Sequence, residues 1–222
     1  MIGVRLAVLV LAVTAAGCAM TRQTRTVAPA GFLKDYSQLK EGGQGEAQLV
    51  YLNPRAEWSK YRKIQIDPVT IWVTDGSSLE SVPEEDRQLL ADYLHEAVHT
   101  ELSKEYRIVR EPAPDALRVR LAITDAKGAS VVGNTVSKFV PQLRVLTTVG
   151  GLATDTQALV GRVGIEGELL DSMTDERLGA AVDRRAGTKA IRSGMSTWAD
   201  VQRASDYWAE RLRTRLAELR AR

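Results

Sequence analysis

His95-Glu96-Ala97-Val98-His99 is the stretch of this sequence with the most chemistry in it. On a helix, residues four apart share a face, so both imidazoles could grip one zinc ion while Glu96 takes a proton from its water. These are the only two histidines in the 222 residues. The surrounding pattern speaks against a working site. The apolar stripe of this segment centres on Leu90, Leu94 and Ala97. At about 100° per residue, His95 and His99 fall about 140° and about 180° from Leu90, on the polar face. Catalytic zinc needs a third protein ligand and a dry cleft. No histidine remains to serve, and Glu101, Glu105 and Glu111 sit in no ligand motif. The expectation is therefore of two exposed histidines, no metal, no cofactor and no catalytic residue. The alternative is a small zinc-dependent hydrolase using His95, Glu96 and His99.

Cys18 is the second reactive group, and it is the only cysteine. A lone cysteine in an exported chain calls for a special chemistry. Its context supplies one. Arg5 is followed by the unbroken apolar run Leu6–Val13, and then by Ala15-Ala16-Gly17-Cys18. A basic start, a short apolar run and small residues define a secretory signal, and the run is too short to span a bilayer. The end of that signal resembles a lipobox, with Ala15 where leucine is commoner. The resemblance implies cleavage between Gly17 and Cys18, a diacylglycerol on the thiol and an acylated amine. Each buried methylene adds about 0.8 kcal/mol, so two or more chains hold a protein on a membrane. Ala19 is not the aspartate that signals inner-membrane retention in many lipoproteins. The expected location is the cell envelope, at the periplasmic face of the outer membrane, attached through the lipid on Cys18.

Other signals are weaker. Asp171, Asp175 and Glu176 cluster where a turn is expected, and turns favour such residues without any calcium. Arg211, Arg213, Arg215, Arg220 and Arg222 crowd the C-terminal end. Cations at a helix C-terminus favour the helix dipole, so a solvated helix face explains them, with anionic lipid as the alternative. The formal charge is +2, and removal of residues 1–17 takes away one cation, Arg5. Such a balance gives no field for nucleic acid.

The elements that would hold these groups follow from periodicity. Residues 18–48 are polar and include the run Glu-Gly-Gly-Gln-Gly-Glu at 41–46, which reads as a flexible tether. Phe32, Leu33 and Tyr36 form an apolar island within it that could dock on the body. Leu49–Leu52 reads as a strand, and residues 61–73 alternate around a break at Pro68. Ser81 with Glu84 suggests a capping box and a helix running to about Tyr106. In residues 117–123, Leu117, Val119, Leu121 and Ile123 oppose Arg118 and Arg120. In residues 162–169, Val163, Ile165, Gly167 and Leu169 oppose Arg162, Glu166 and Glu168. Such alternation predicts one buried and one wet face. A partner strand at 177–182 and a last helix from Thr197, with an apolar line at Val201, Ala204, Trp208, Leu212 and Leu219, complete the pattern. Residues 129–160 are apolar and glycine-dotted, expected to pack on the core. The sum is one α+β domain at 49–222, a mostly antiparallel sheet packed against two amphipathic helices.

Ile165-Glu166-Gly167-Glu168-Leu169-Leu170-Asp171, Ala181-Val182-Asp183-Arg184-Arg185-Ala186-Gly187, Trp198-Ala199-Asp200-Val201 and Tyr207-Trp208-Ala209-Glu210-Arg211-Leu212 resemble bacterial lipoproteins of domain-of-unknown-function family 3313, DUF3313. The Gly31-Phe32-Leu33 island and the strand 117–125 share the resemblance. It implies a lipid-anchored envelope protein with no known activity, substrate or catalytic residue. The expected function is accordingly a non-catalytic binding or assembly domain with an envelope protein as partner.

Overall fold

A computed structural model describes residues 22–24, 26–127, 162–186 and 197–221. The strands are β1 (Arg22–Gln23), β2 (Lys40–Glu41), β3 (Leu49–Leu52), β4 (Lys63–Ile66), β5 (Thr70–Ile71), β6 (Arg107–Val109), β7 (Ala116–Lys127), β8 (Arg162–Asp171) and β9 (Arg177–Ala186). The helices are α1 (Glu84–Leu102) and α2 (Thr197–Arg220). All strands join one sheet in the order β2-β3-β9-β8-β7-β4-β6, with β1 added to β9 and β5 to β7. β7, β8, β9 and β3 run antiparallel, whereas β4 lies parallel to both β6 and β7, and β5 parallel to β7. The sheet is therefore mixed. Pro68 falls between β4 and β5, because it has no N–H to give to a ladder.

Both helices cover one face. Leu90, Leu94 and Val98 of α1 and Val201, Ala204 and Trp208 of α2 share a core with Leu117, Val119 and Ile123 of β7. The helices run in the same direction. Tyr93 donates to Asp206 at 3.0 Å, Glu101 pairs with Arg213 at 3.0 Å, and Glu105 pairs with Arg220 at 3.3 Å, so the partners advance together. Arg213, Arg215 and Arg220 thus spend their charge on Glu101, Glu105, Glu46 and Glu218 within the chain.

Two expectations about elements are corrected. The Ser81–Glu84 capping box does not form. Pro83 is the N-cap and uses no side chain, and Ser81 Oγ donates to the Ser78 carbonyl. Residues 78–81 make a 3-10 turn of their own, capped by the Ser77 hydroxyl, which consumes the serine. Glu84, Glu85 and Asp86 still place negative charge in the first turn of α1, where the dipole favours it. The helix ends at Leu102, short of Tyr106.

The larger correction concerns residues 22–48. Read as a tether, they are part of the domain. β1 and β2 extend the sheet, and Phe32 and Leu33 are buried against Ala122, Ala180 and Val182, on the face away from the helices. The face expected to be wet is therefore covered. Glycines at 42–45 suit the tight turn after β2. Gly45 has φ +78, and a Cβ on Gly42 would lie 1.9 Å from the Ala47 carbonyl oxygen. Among the described residues no helix is long and apolar enough to cross a membrane.

Candidate functional site

The histidine motif does lie on a helix, as its chemistry requires. Asp92, Glu96 and Thr100 are exposed, while His95 and His99 are half-buried at the edge of that face rather than at its centre. Glu96 accepts from the Thr100 hydroxyl at 3.2 Å. The nearby carboxylates are committed elsewhere: Glu101 pairs with Lys104 and Arg213, and Glu105 with Arg213 and Arg220. Those contacts hold the Glu101 carboxyl below its ordinary range, the bond from Lys104 being the main cause. Among the described residues no group of three histidine, cysteine, aspartate or glutamate side chains is placed to hold a metal. The acidic turn is likewise dispersed. Asp175 pairs with Arg118, Glu176 accepts from Asn53, and Asp171 is turned inward. Gly17, Cys18 and residues 129–160 lie outside the described residues.

Periodicity hides the most unusual chemistry of the fold, a row of buried carboxylates. Glu166 is completely inaccessible. Its oxygens accept from the Ala30 N–H at 2.5 Å, the Leu33 N–H at 3.3 Å and the Tyr36 hydroxyl at 2.5 Å. Burial beside that carboxylate raises the Tyr36 phenol to about 12. Glu168 lies between Arg120 and Arg177, the latter at 3.1 Å. Asp125 lies between Arg162 at 2.7 Å and Arg184 at 3.1 Å. On the helical face, Asp183 accepts from the Trp208 indole N–H at 2.7 Å and from the Gln23 amide at 2.7 Å. A buried charge is tolerated only when paired in this way. Glu166 and Asp183 thus fasten remote segments to β8 and β9, while Glu168 and Asp125 hold cations of neighbouring strands.

Asp171 shows the energetics. Burial pushes its carboxyl up, but the Tyr61 hydroxyl, Lys60 and the Met173 and Thr174 N–H groups outweigh it and bring it down to about 2. Tyr61 donates at 2.8 Å, and burial with this bond raises its own phenol. A folded-state value below the ordinary 3.8 means stability that is present above about pH 4 and lost as the pH falls towards 2. Asp171→Asn is expected to cost on the order of 2 kcal/mol at pH 7. Urea melts at pH 7 and pH 2.5 check this; the gap between variant and parent should close at the lower pH.

One cavity of about 180 Å³ lies under α2. Its cause is local. Gly167 of β8 stands opposite Ala181 of β9, Gly179 stands opposite Leu169, and all four face the helices. A Cβ on Gly167 would come within 2.6 Å of Leu121 Cδ2, so a larger residue there would push that side chain aside. With so little side chain on the floor, α2 cannot close onto the sheet. Val50, Leu52, Leu121, Leu169, Trp208 and Leu212 make apolar walls. The charged lining residues that reach solvent are Glu46, Arg211 and Arg215, so the mouth lies between the loop before β3 and α2.

With this geometry in place, comparison with known proteins is informative about family. The model of DUF3313, a protein family of unknown function, matches residues 28–212. The chain belongs to DUF3313. The match begins ahead of Phe32, in agreement with the docked N-terminal segment. No curated protein matches. Among solved structures, the chain is similar to the PelC dodecamer from Paraburkholderia phytofirmans, at 14% identity and a TM-score of 0.37, covering 74% of this chain and 94% of that one. It is also similar to a DUF4136 family protein from Bacteroides thetaiotaomicron, at 10% identity and a TM-score of 0.36, covering 75% of this chain and 94% of that one.

Proposed function

We propose that this DUF3313 chain is a non-catalytic binding or assembly domain, lipid-anchored through Cys18 at the periplasmic face of the outer membrane. The observation that carries this reading is the fastening of residues 30–36 to the sheet through Glu166. A domain on a loose tether has no use for such a clamp. A domain that must stand at a fixed distance and angle from its attachment point does. The row of paired carboxylates supports the absence of catalysis, since general acid–base work needs a group with an unfilled role and access to substrate. The partner in this reading is an envelope protein.

The anchoring half of the proposal is tested by Cys18→Ser. Without the thiol no diacylglycerol can be attached, and the apolar run is too short to hold the chain alone. The variant is expected to leave the membrane pellet for the soluble envelope fraction. Sedimentation with membranes at the parent level would sink the anchor. Sucrose-gradient separation of the two membranes tests the outer-membrane assignment, and cross-linking in intact envelopes, read by mass spectrometry, tests the partner.

A further inference from the structure

We propose that the cavity under α2 binds one free fatty acid, with the acyl chain inside and the carboxylate on Arg211. The proposal goes beyond the anchoring role and stands whether or not Cys18 is acylated. The first support is volume. A methylene is close in size to water, whose share of liquid volume is about 30 Å³, so about 180 Å³ takes roughly six methylenes. That is room for the buried end of a single medium chain.

The second support is the state of the polar groups. Inside the cavity the carboxylate is already satisfied, since Asp183 holds Trp208 and Gln23, while the Glu168 side chain points to the opposite face, onto Arg120 and Arg177. At the mouth, Glu46 and Arg215 pair at 2.9 Å. Arg211 alone among the lining ions has no partner among the described residues. A guanidinium presents a planar fork that fits a carboxylate in two parallel bonds. Gly45 lies beside it, where a Cβ would stand 3.8 Å from Arg211 Nη2. An apolar pocket with one free cation at its rim is complementary to an apolar chain with one anion at its end.

The test uses the full-length chain carrying Cys18→Ser, so that no acyl group of its own competes, with decanoate as probe. Calorimetry should show saturable one-to-one binding, with a matching rise in Tm. Arg211→Gln should weaken decanoate about tenfold while leaving decanol unchanged. Ala181→Leu fills the floor and should abolish both. If Ala181→Leu does not fold, Leu212→Trp fills the same space from the helix side. Failure of the parent to bind decanoate saturably would overturn the proposal. So would equal decanoate affinity in Arg211→Gln, undiminished binding in the filled variant, or binding of phosphatidylglycerol vesicles without decanoate.

Discussion

Glu166→Ala is expected to strip residues 28–36 from the sheet while the helical face stays folded. The substitution leaves the Ala30 N–H and the Tyr36 hydroxyl without their acceptor, whereas the Leu33 N–H keeps the Tyr36 hydroxyl oxygen at 3.1 Å. Each buried donor without a partner costs about 1–3 kcal/mol. Against that stands the burial of Phe32 and Leu33, worth about 1.5–3 kcal/mol each at most, less the entropy of ordering the segment. Two orphaned donors, together with the entropy of ordering the segment, offset the two buried side chains, so the segment leaves and finds water. The remaining fastenings are single: Trp72 Nε1 to the Ala30 carbonyl at 3.0 Å, the Phe32–Trp72 edge contact, Arg120 over the Phe32 ring at 5.3 Å, and Arg177 to the Asp35 carbonyl at 2.7 Å. Amide hydrogen exchange should therefore lose protection over 28–36, with little change in α1 and α2. Glu166→Gln keeps one carbonyl acceptor and should lie between. Unchanged protection in the alanine variant would mean that the apolar contacts alone hold the segment.

The same residues show what a sequence reveals and what it conceals. The aliphatic rows of β7 and β8 point where alternation places them, on the helical face, because that pattern is local and its period is fixed by the backbone. The opposite row cannot be read the same way. Arg120, Glu166 and Glu168 are wet if nothing lies over them and buried if something does, and the covering segment is far earlier in the chain, Ala30 standing 136 residues before Glu166. Its composition gives one hint, the apolar island of Phe32, Leu33 and Tyr36, within a stretch that otherwise looks like a linker. Its backbone N–H groups, invisible in a composition, do the binding. Parallel pairing of β4 with β6 and β7 was equally hidden, as strands of three and four residues carry too few positions to show a period. The histidine motif was legible in place, on α1, as its helical spacing predicts. The cavity could have been suspected from Gly167, Gly179 and Ala181, three small residues on one face of adjacent strands where bulk is the rule.

Ile123→Asp should abolish folding, and Arg120→Asp, which alternation would class as harmless, should also damage the domain severely. Ile123 is 1% exposed, among the aliphatic residues between β7 and the helices. No described cation lies in that cluster, so a carboxylate there is buried without a partner. The cost is several kcal/mol, set against a total stability of about 5–15 kcal/mol for a domain. Arg120 sits on the other face, half-buried, with its guanidinium on Glu168 and over the Phe32 ring at 5.3 Å. Aspartate at 120 removes one of the two cations on the Glu168 carboxylate, which is 5% exposed, and sets a like charge directly opposite it in the ladder. Breaking a buried pair from one side costs about 3–5 kcal/mol, and like charges across a strand pair add to that. Arg120→Met keeps the contact with Phe32 and removes only the charge, so it should fall between parent and aspartate. Denaturant melts of the three variants decide the matter. Ile123→Asp should show no cooperative transition, and Arg120→Asp a midpoint lowered well beyond that of Arg120→Met. A midpoint for Arg120→Asp equal to the parent's would mean that this face is solvated after all, and that the N-terminal segment does not cover it.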